Sequence, residues 1–348
     1  TLRRFRHEEV LRIGVHDIEG ELPLQVVGEQ LTWLAEVCLT AAAGLARREV
    51  LVRAAVPPGA PVDGLAVVAM GKLGGAELSY NSDLDVIYVY DPGDLAAWGE
   101  RTTPQEVFTK IAQRTISILQ TPTREGIVYT IDTRLRPSGN QGPLVTSIEA
   151  FEAYHREAAE LWERQALIKA RVVMGPAAVR ARLQRAIDGF VYGGGLDPAG
   201  VREIATMRER IAAERGTTSG INIKTDRGGL VDVEFVAQML QLRHGATHAT
   251  LRTPTTAAVL EAVAMLELLP PDDAQILCEG YAFLRRLESR LRIEHDQPVE
   301  ALEDDPQVLE AVARAMGDTA AGAGDRLRQI HTHYSASIRE AFDRWVAG

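Results

Sequence analysis

From Arg4 to about Arg48, apolar residues recur at helical spacing, with Val10, Leu11 and Ile13 in one stretch and Leu31, Leu34 and Val37 in a second. The pattern breaks near Gly20 and Pro23, which predicts two helices, and "PPGAP" at 57–61 ends them. Two short apolar runs follow, "LAVVAM" at 65–70 and "VIYVY" at 86–90. The second is rich in β-branched and aromatic residues, and both read as buried strands. Residues 108–119 return to a helical period, and "IVYTIDTRLRP" at 127–137 alternates as a third strand that Pro137 ends.

A loop, "SGNQGP", then leads to helical patterns at 148–158 and 161–171, and the Gly- and Pro-rich "GGGLDPAG" at 193–200 reads as a turn or linker. Beyond it, helical patterns cover 201–215, 231–243, 255–268, 273–296, 306–316 and 324–346. The expected fold class is α+β, with N-terminal helices flanking a small sheet and a helical bundle at the end. The expected division is into residues 1–175 and 176–348.

Composition narrows the classes. A chain of 348 residues that is 46% hydrophobic is long enough for about two domains, each with a core. It has no apolar run of about 18 residues and no signal-like start, so neither membrane nor secretion is suggested and a cytoplasmic location is expected. A net charge of −10 argues against broad nucleic-acid binding, which draws on clustered Lys and Arg. The two cysteines, Cys38 and Cys278, fit free thiols rather than a disulfide framework or a zinc site. The chain starts at Thr1 with no methionine and is expected to be a piece of a longer polypeptide.

Candidate chemistry gathers in the middle section. On a strand, residues i and i+2 point to the same side, so Asp83 and Asp85 would present two carboxylates to one face while Leu84 and Val86 enter the core. Such a pair suits Mg²⁺, which takes oxygen ligands and commonly combines one or two carboxylates with substrate phosphates. A bare DxD is also found at solvated strand ends and turns. Upstream, "GKLGGAELSYNSDLD" places Gly71, Gly74 and Gly75 around Lys72, where backbone amides can approach phosphate oxygens. It is neither a Walker A loop nor a GxGxxG fingerprint. Downstream, Asp132 on the third predicted strand would add a third carboxylate, with Arg134 and Arg136 on the same face. Three carboxylates would serve two metals in an in-line phosphoryl displacement, and the guanidiniums would either neutralise a triphosphate or form a surface salt-bridge pair with Asp132.

The order of strand, glycine turn, DxD strand and later Asp strand resembles the polymerase β-like nucleotidyltransferase superfamily. More closely, "GKLGGAELSYNSDLDV", "DTRLRPSGNQGPLVTS", "WERQALIKARVV" and "IKTDRGGLVDVEFVAQMLQLRHG" resemble the glutamine synthetase adenylyltransferase/adenylyl-removing family, with the likeness running over nearly the whole chain. In that family two homologous halves act on glutamine synthetase: one attaches AMP from ATP, the other removes it by phosphorolysis. The resemblance implies that Asp83, Asp85 and Asp132 bind Mg²⁺ and perform catalysis. It also implies that Gly74, Gly75, Ser82, Lys72, Arg134 and Arg136 meet the ATP, with Asp132 as candidate base or metal bridge. The signature glycines can be placed on Gly71-Lys72 or on Gly74-Gly75. "RLRPSG", "SDLD" and "QALIKARVV" are similar to the C-terminal, adenylylating half, whereas "GPLV" is similar to the removing half; the adenylylating half is favoured. Glutamine synthetase is the implied substrate, with PII signal protein and glutamine as regulators. A catalytically silent, nucleotide-binding regulatory module is the alternative of another class.

Three other segments stand out. In "WERQALIKAR", Lys169 and Arg171 either reach the nucleotide or belong to a partly buried helix. In "IKTDRGGLVDVEF", Lys224, Asp226 or Glu234 either close over the active site or serve capping and packing. In "FLRRLESRLRIEHD", Leu284, Leu287 and Leu291 form a core stripe, and Arg285, Arg286, Arg290 and Arg292 are expected on a solvated face.

Overall fold

Gly20 and Pro23 divide the N-terminal helical pattern as expected, into α1 (Leu2–Ile18) and α2 (Leu24–Arg53). The computed structural model describes residues 1–54, 56–215, 220–295 and 297–348, so the last residue of the helix expected over 273–296 lies outside the described residues. The chain forms two compact units. The first comprises Thr1–His16, Gln25–Leu78 and Ser82–Val191; the second comprises Asp17–Leu24, Ser79–Asn81 and Tyr192–Gly348.

In the first unit the two apolar runs are the centre of the sheet. β1 (Leu65–Ala69) is buried along its whole length, and β2 (Leu84–Tyr90) is buried except at Asp85. They pair antiparallel, Leu65 opposite Tyr90 through Ala69 opposite Val86. The short helix α3 (Gly71–Gly74) joins them, and α4 (Pro104–Gln120) follows, capped at its start by the Thr103 hydroxyl. α4 lays Phe108 against the Tyr90 ring at a centroid distance of 5.0 Å.

The third strand differs from its expectation. β3 is only Ile131–Asp132, parallel to β2, and Thr133–Pro137 turns away. The cause is local: the Asp132 carboxylate accepts the Arg134 backbone N–H at 2.8 Å, an Asx-type turn that competes with the ladder, and Arg136 N–H bonds back to Thr133 O. Arg134 and Arg136 therefore do not share a strand face. β4 (Val145–Ser147) pairs parallel with β2, and α5 (Ile148–Glu157) and α6 (Leu161–Ala166) follow. The helix expected over 161–171 stops early, and β5 (Arg171–Met174) pairs antiparallel with β1. The unit ends in α7 (Ala177–Tyr192), a helix beyond those the hydrophobic pattern predicts.

The second unit is helical, as its periodicity implies: α8 (Pro198–Arg215), α9 (Leu230–His244), α10 (Thr256–Met265), α11 (Pro271–His295), α12 (Pro306–Ala315) and α13 (Ala323–Phe342). A two-residue ladder joins β6 (Ile221–Asn222) to β7 (Ala301–Leu302). Leu284, Leu287 and Leu291 are fully buried, as expected of a core stripe. Their arginine neighbours are not a solvated face. Arg290 and Arg292 are buried, Arg285 nearly so, and they meet Asp17 and the fully buried Glu288; of the four, only Arg286 is exposed. Carboxylate partners make burial of these guanidiniums tolerable. Among the described residues no helix is long and apolar enough to cross a membrane.

Candidate active site

The site forms where β2 and β3 begin side by side. Leu84 and Val86 are fully buried, Asp85 is half-buried on the other side of the strand, and Asp83 is exposed just before it. The parallel register sets Leu84 beside Ile131 and Asp85 beside Asp132, so both aspartates project from the same face on strands about 4.8 Å apart. Asp83, two residues upstream, adds a third carboxylate at the strand mouth.

Arg134 supplies the opposing charge. Its Nε donates to Asp132 Oδ2 at 2.8 Å, and its guanidinium is otherwise largely in solvent, with the side chain 71% exposed. This guanidinium holds the Asp132 carboxyl below the usual carboxylate range. In return Arg134 is held more firmly protonated, first by Asp132 and then by the charges of Asp85 and Asp83. Of the three carboxylates only Asp132 touches this guanidinium. Carboxylate oxygens are the ligand type that a divalent cation such as Mg²⁺ takes, although in this structure the three carboxylates are not gathered as closely as the side chains of His16, Glu19 and Glu21, whose ligand atoms lie within 4.8 Å of one another. Arg136 acts elsewhere, donating to Thr133 O at 2.8 Å and to Gly142 O at 3.3 Å and so bracing the loop after β3.

The glycine turn separates into a near and a far end. Gly71 adopts φ +52°, and a Cβ there would lie 2.5 Å from Asp85 Oδ2, so only glycine lets the backbone come this close to the carboxylate. Lys72 follows it, half-buried in the first turn of α3. Gly74 is at the far end: a Cβ there would lie 1.8 Å from Lys169 O. The Gly74 N–H bonds Met70 O at 2.9 Å and the Gly75 N–H bonds Gly71 O at 3.0 Å, so neither amide is directed outward. Ser82 lies half-buried immediately before Asp83.

Lys169 and Arg171 lie behind this turn. Lys169 is buried and donates to Glu77 at 3.0 Å, while Arg171 donates to Leu73 O at 3.1 Å, Gly74 O at 3.2 Å and Glu36 at 2.5 Å. Glu77 and Glu36 escape sequence reasoning, because nothing local links Glu77 to a lysine 92 positions away. In the helical unit, Asp232 at the start of α9 pairs with the fully buried Arg208 and accepts the Gly228 N–H at 2.5 Å. There Lys224 pairs with Glu300, and Asp226 accepts the Asn222 N–H at 2.7 Å. On α13, His331 is buried and His333 is exposed.

A small sheet with a glycine turn feeding a DxD strand, and a third aspartate in register on its parallel neighbour, defines a nucleotidyltransferase-type α+β fold flanked by helices. Residues 1–186 match the family model described as glutamate-ammonia ligase adenylyltransferase, and the chain belongs to that family. Residues 201–345 match a second family model, described as GlnD PII-uridylyltransferase. A curated relative from Nitrosococcus oceani, the bifunctional glutamine synthetase adenylyltransferase/adenylyl-removing enzyme, is 35% identical over 344 residues. The alignment covers 96% of this chain and 36% of the relative, so the chain spans about a third of that protein's length.

Proposed function

We propose that the chain transfers AMP from ATP to a tyrosine of glutamine synthetase, releasing pyrophosphate. The observation that carries this reading is the register of Asp85 with Asp132, with Asp83 two residues upstream of Asp85 and Arg134 paired to Asp132. Family membership and the relative's name support glutamine synthetase as the protein acted on. Residues 1–175 are proposed as the catalytic domain and 176–348 as a helical domain.

Asp83, Asp85 and Asp132 would hold Mg²⁺, which when bound supplies Lewis-acid polarisation of phosphoryl oxygens. Asp132, kept well ionised by Arg134, suits a metal ligand better than a general base, since a carboxylate of lowered pKa is a poor proton acceptor. Gly71 admits the phosphate-bearing substrate close to Asp85. Arg134, largely exposed, can exchange Asp132 for a triphosphate oxygen. Lys72 adds positive charge beside the turn. The likeness of residues 201–345 to a PII-uridylyltransferase model supports regulation through the helical unit, by PII signal protein or glutamine. A cytoplasmic location goes with this reading, since the protein acted on is a metabolic enzyme.

The test incubates the purified chain with unmodified glutamine synthetase, labelled ATP and Mg²⁺, beside an Asp83→Ala, Asp85→Ala variant. Label incorporation that disappears in the variant is expected. A parallel arm offers AMP-modified glutamine synthetase and inorganic phosphate. ADP release there, without incorporation in the first arm, would make this the removing half, and silence in both arms would favour a binding module.

A further inference from the structure

We infer that Arg171 and Lys169 are positioning residues that hold the glycine turn, residues 71–75, at its working distance from Asp85. The inference rests on the nucleotidyl-transfer reading above. α3 has only four residues, too few for its own hydrogen bonds to fix its place; just past its end the Glu77 and Ala76 N–H groups bond Lys72 O at 2.9 Å and Leu73 O at 3.3 Å. Arg171 adds side-chain donors at Leu73 O and Gly74 O. It stands opposite Ala69 at the start of β5, and from this rigid edge its guanidinium reaches Leu73 O, Gly74 O and, on α2, Glu36. A fork of donors can serve three acceptors at once where an ammonium cannot match the geometry.

Lys169 fixes the same turn from beneath. Its carbonyl forms the floor on which Gly74 sits, and its ammonium bonds Glu77, two residues after the turn, with both side chains 8% exposed. The far end of α3 is therefore pinned at two points, while the near end brings Gly71 against the Asp85 carboxylate. A pivot at the brace is read out as a displacement at Gly71, and small misplacements of a reacting or binding group are costly far beyond the contact that caused them. A residue with only a packing role would lower stability and leave the nucleotide affinity of the folded protein alone.

The test compares the chain with Arg171→Lys and Arg171→Met by amide hydrogen exchange over residues 70–77, by Mg²⁺·ATP titration and by thermal melting. In both variants the Gly74 and Gly75 amides should exchange about tenfold faster or more, with β1 and β2 unchanged. Mg²⁺·ATP affinity should fall about tenfold in Arg171→Lys, at a melting temperature close to wild type, and further in Arg171→Met. If Arg171→Met does not fold, Arg171→Lys decides alone. Unchanged exchange in the turn overturns the inference, and so does faster exchange with unchanged affinity. Wild type that binds no Mg²⁺·ATP, while the turn still loosens in the variants, gives a different pattern. It removes the nucleotidyl-transfer reading and the positioning role along with it.

Discussion

In the α/β unit Asp83 is exposed and Asp132 is paired with an arginine that is 71% exposed, whereas in the helical unit Asp232 and Arg208 pair with no exposure at all. The same chemistry, carboxylate against guanidinium, serves two ends. On the proposed reading the first carboxylates meet an incoming cation and a nucleotide and so need an exchangeable partner, and exposed pairs contribute only about 0–1 kcal/mol. A pair that joins helices can be dried out because its partner never leaves. Breaking it by removing one member costs about 3–5 kcal/mol, since a bare charge stays behind.

Variants put this contrast at risk. The greatest change is expected at Asp83→Ala, Asp85→Ala: label transfer to glutamine synthetase should fall about 10³-fold or more, roughly 4 kcal/mol of transition-state stabilisation, with the thermal midpoint nearly unchanged. A large loss of stability instead would place these aspartates with the structural charges. Arg208→Met should cost about 3–5 kcal/mol in a urea titration. A cost below about 1 kcal/mol would erase the distinction between the units.

Arg134→Gln should change stability by less than about 1 kcal/mol yet weaken Mg²⁺·ATP binding by about tenfold, measured by calorimetry. Equal binding in the variant would confine Arg134 to its contact with Asp132. The mildest change concerns pH. Burial pushes His155 in the first unit and His331 in the second below the ordinary 6.5, and the His155 ring is packed against Phe151 with its Nδ1–H donating to Phe151 O. As pH falls below about 6.5, the unfolded chain takes up protons that these rings refuse, so stability present above that value is progressively lost. The melting temperature should drop over this range, and His155→Gln should flatten part of the drop.

Much of the frame was legible in the sequence. The helices α1 and α2, the strands β1 and β2 and most helices of the second unit follow hydrophobic periods long enough to outweigh local exceptions. The outward face of Asp85 follows from strand alternation alone. β4 and β5 were not legible, because strands of three and four residues are defined by the neighbour that bonds them rather than by a period of their own. The turn after Asp132 was legible only in principle: a side chain that bonds its own backbone two residues on can end a strand that alternation would continue.

Most of the longer element types, the paired carboxylates at a strand mouth, the glycine turn before them and the family likeness are written in residues close to one another along the chain, and for that reason the sequence alone carries them. Folding was needed to show that Asp132 stands beside Asp85, that Gly71 rather than Gly74 approaches the carboxylate, that Lys169 and Arg171 brace the turn, and that three of the four arginines of α11 turn inward. Most of those outcomes depend on partners tens to hundreds of residues away. A charge reads as solvated or buried in sequence only by default, and the partner that folding brings to it settles which.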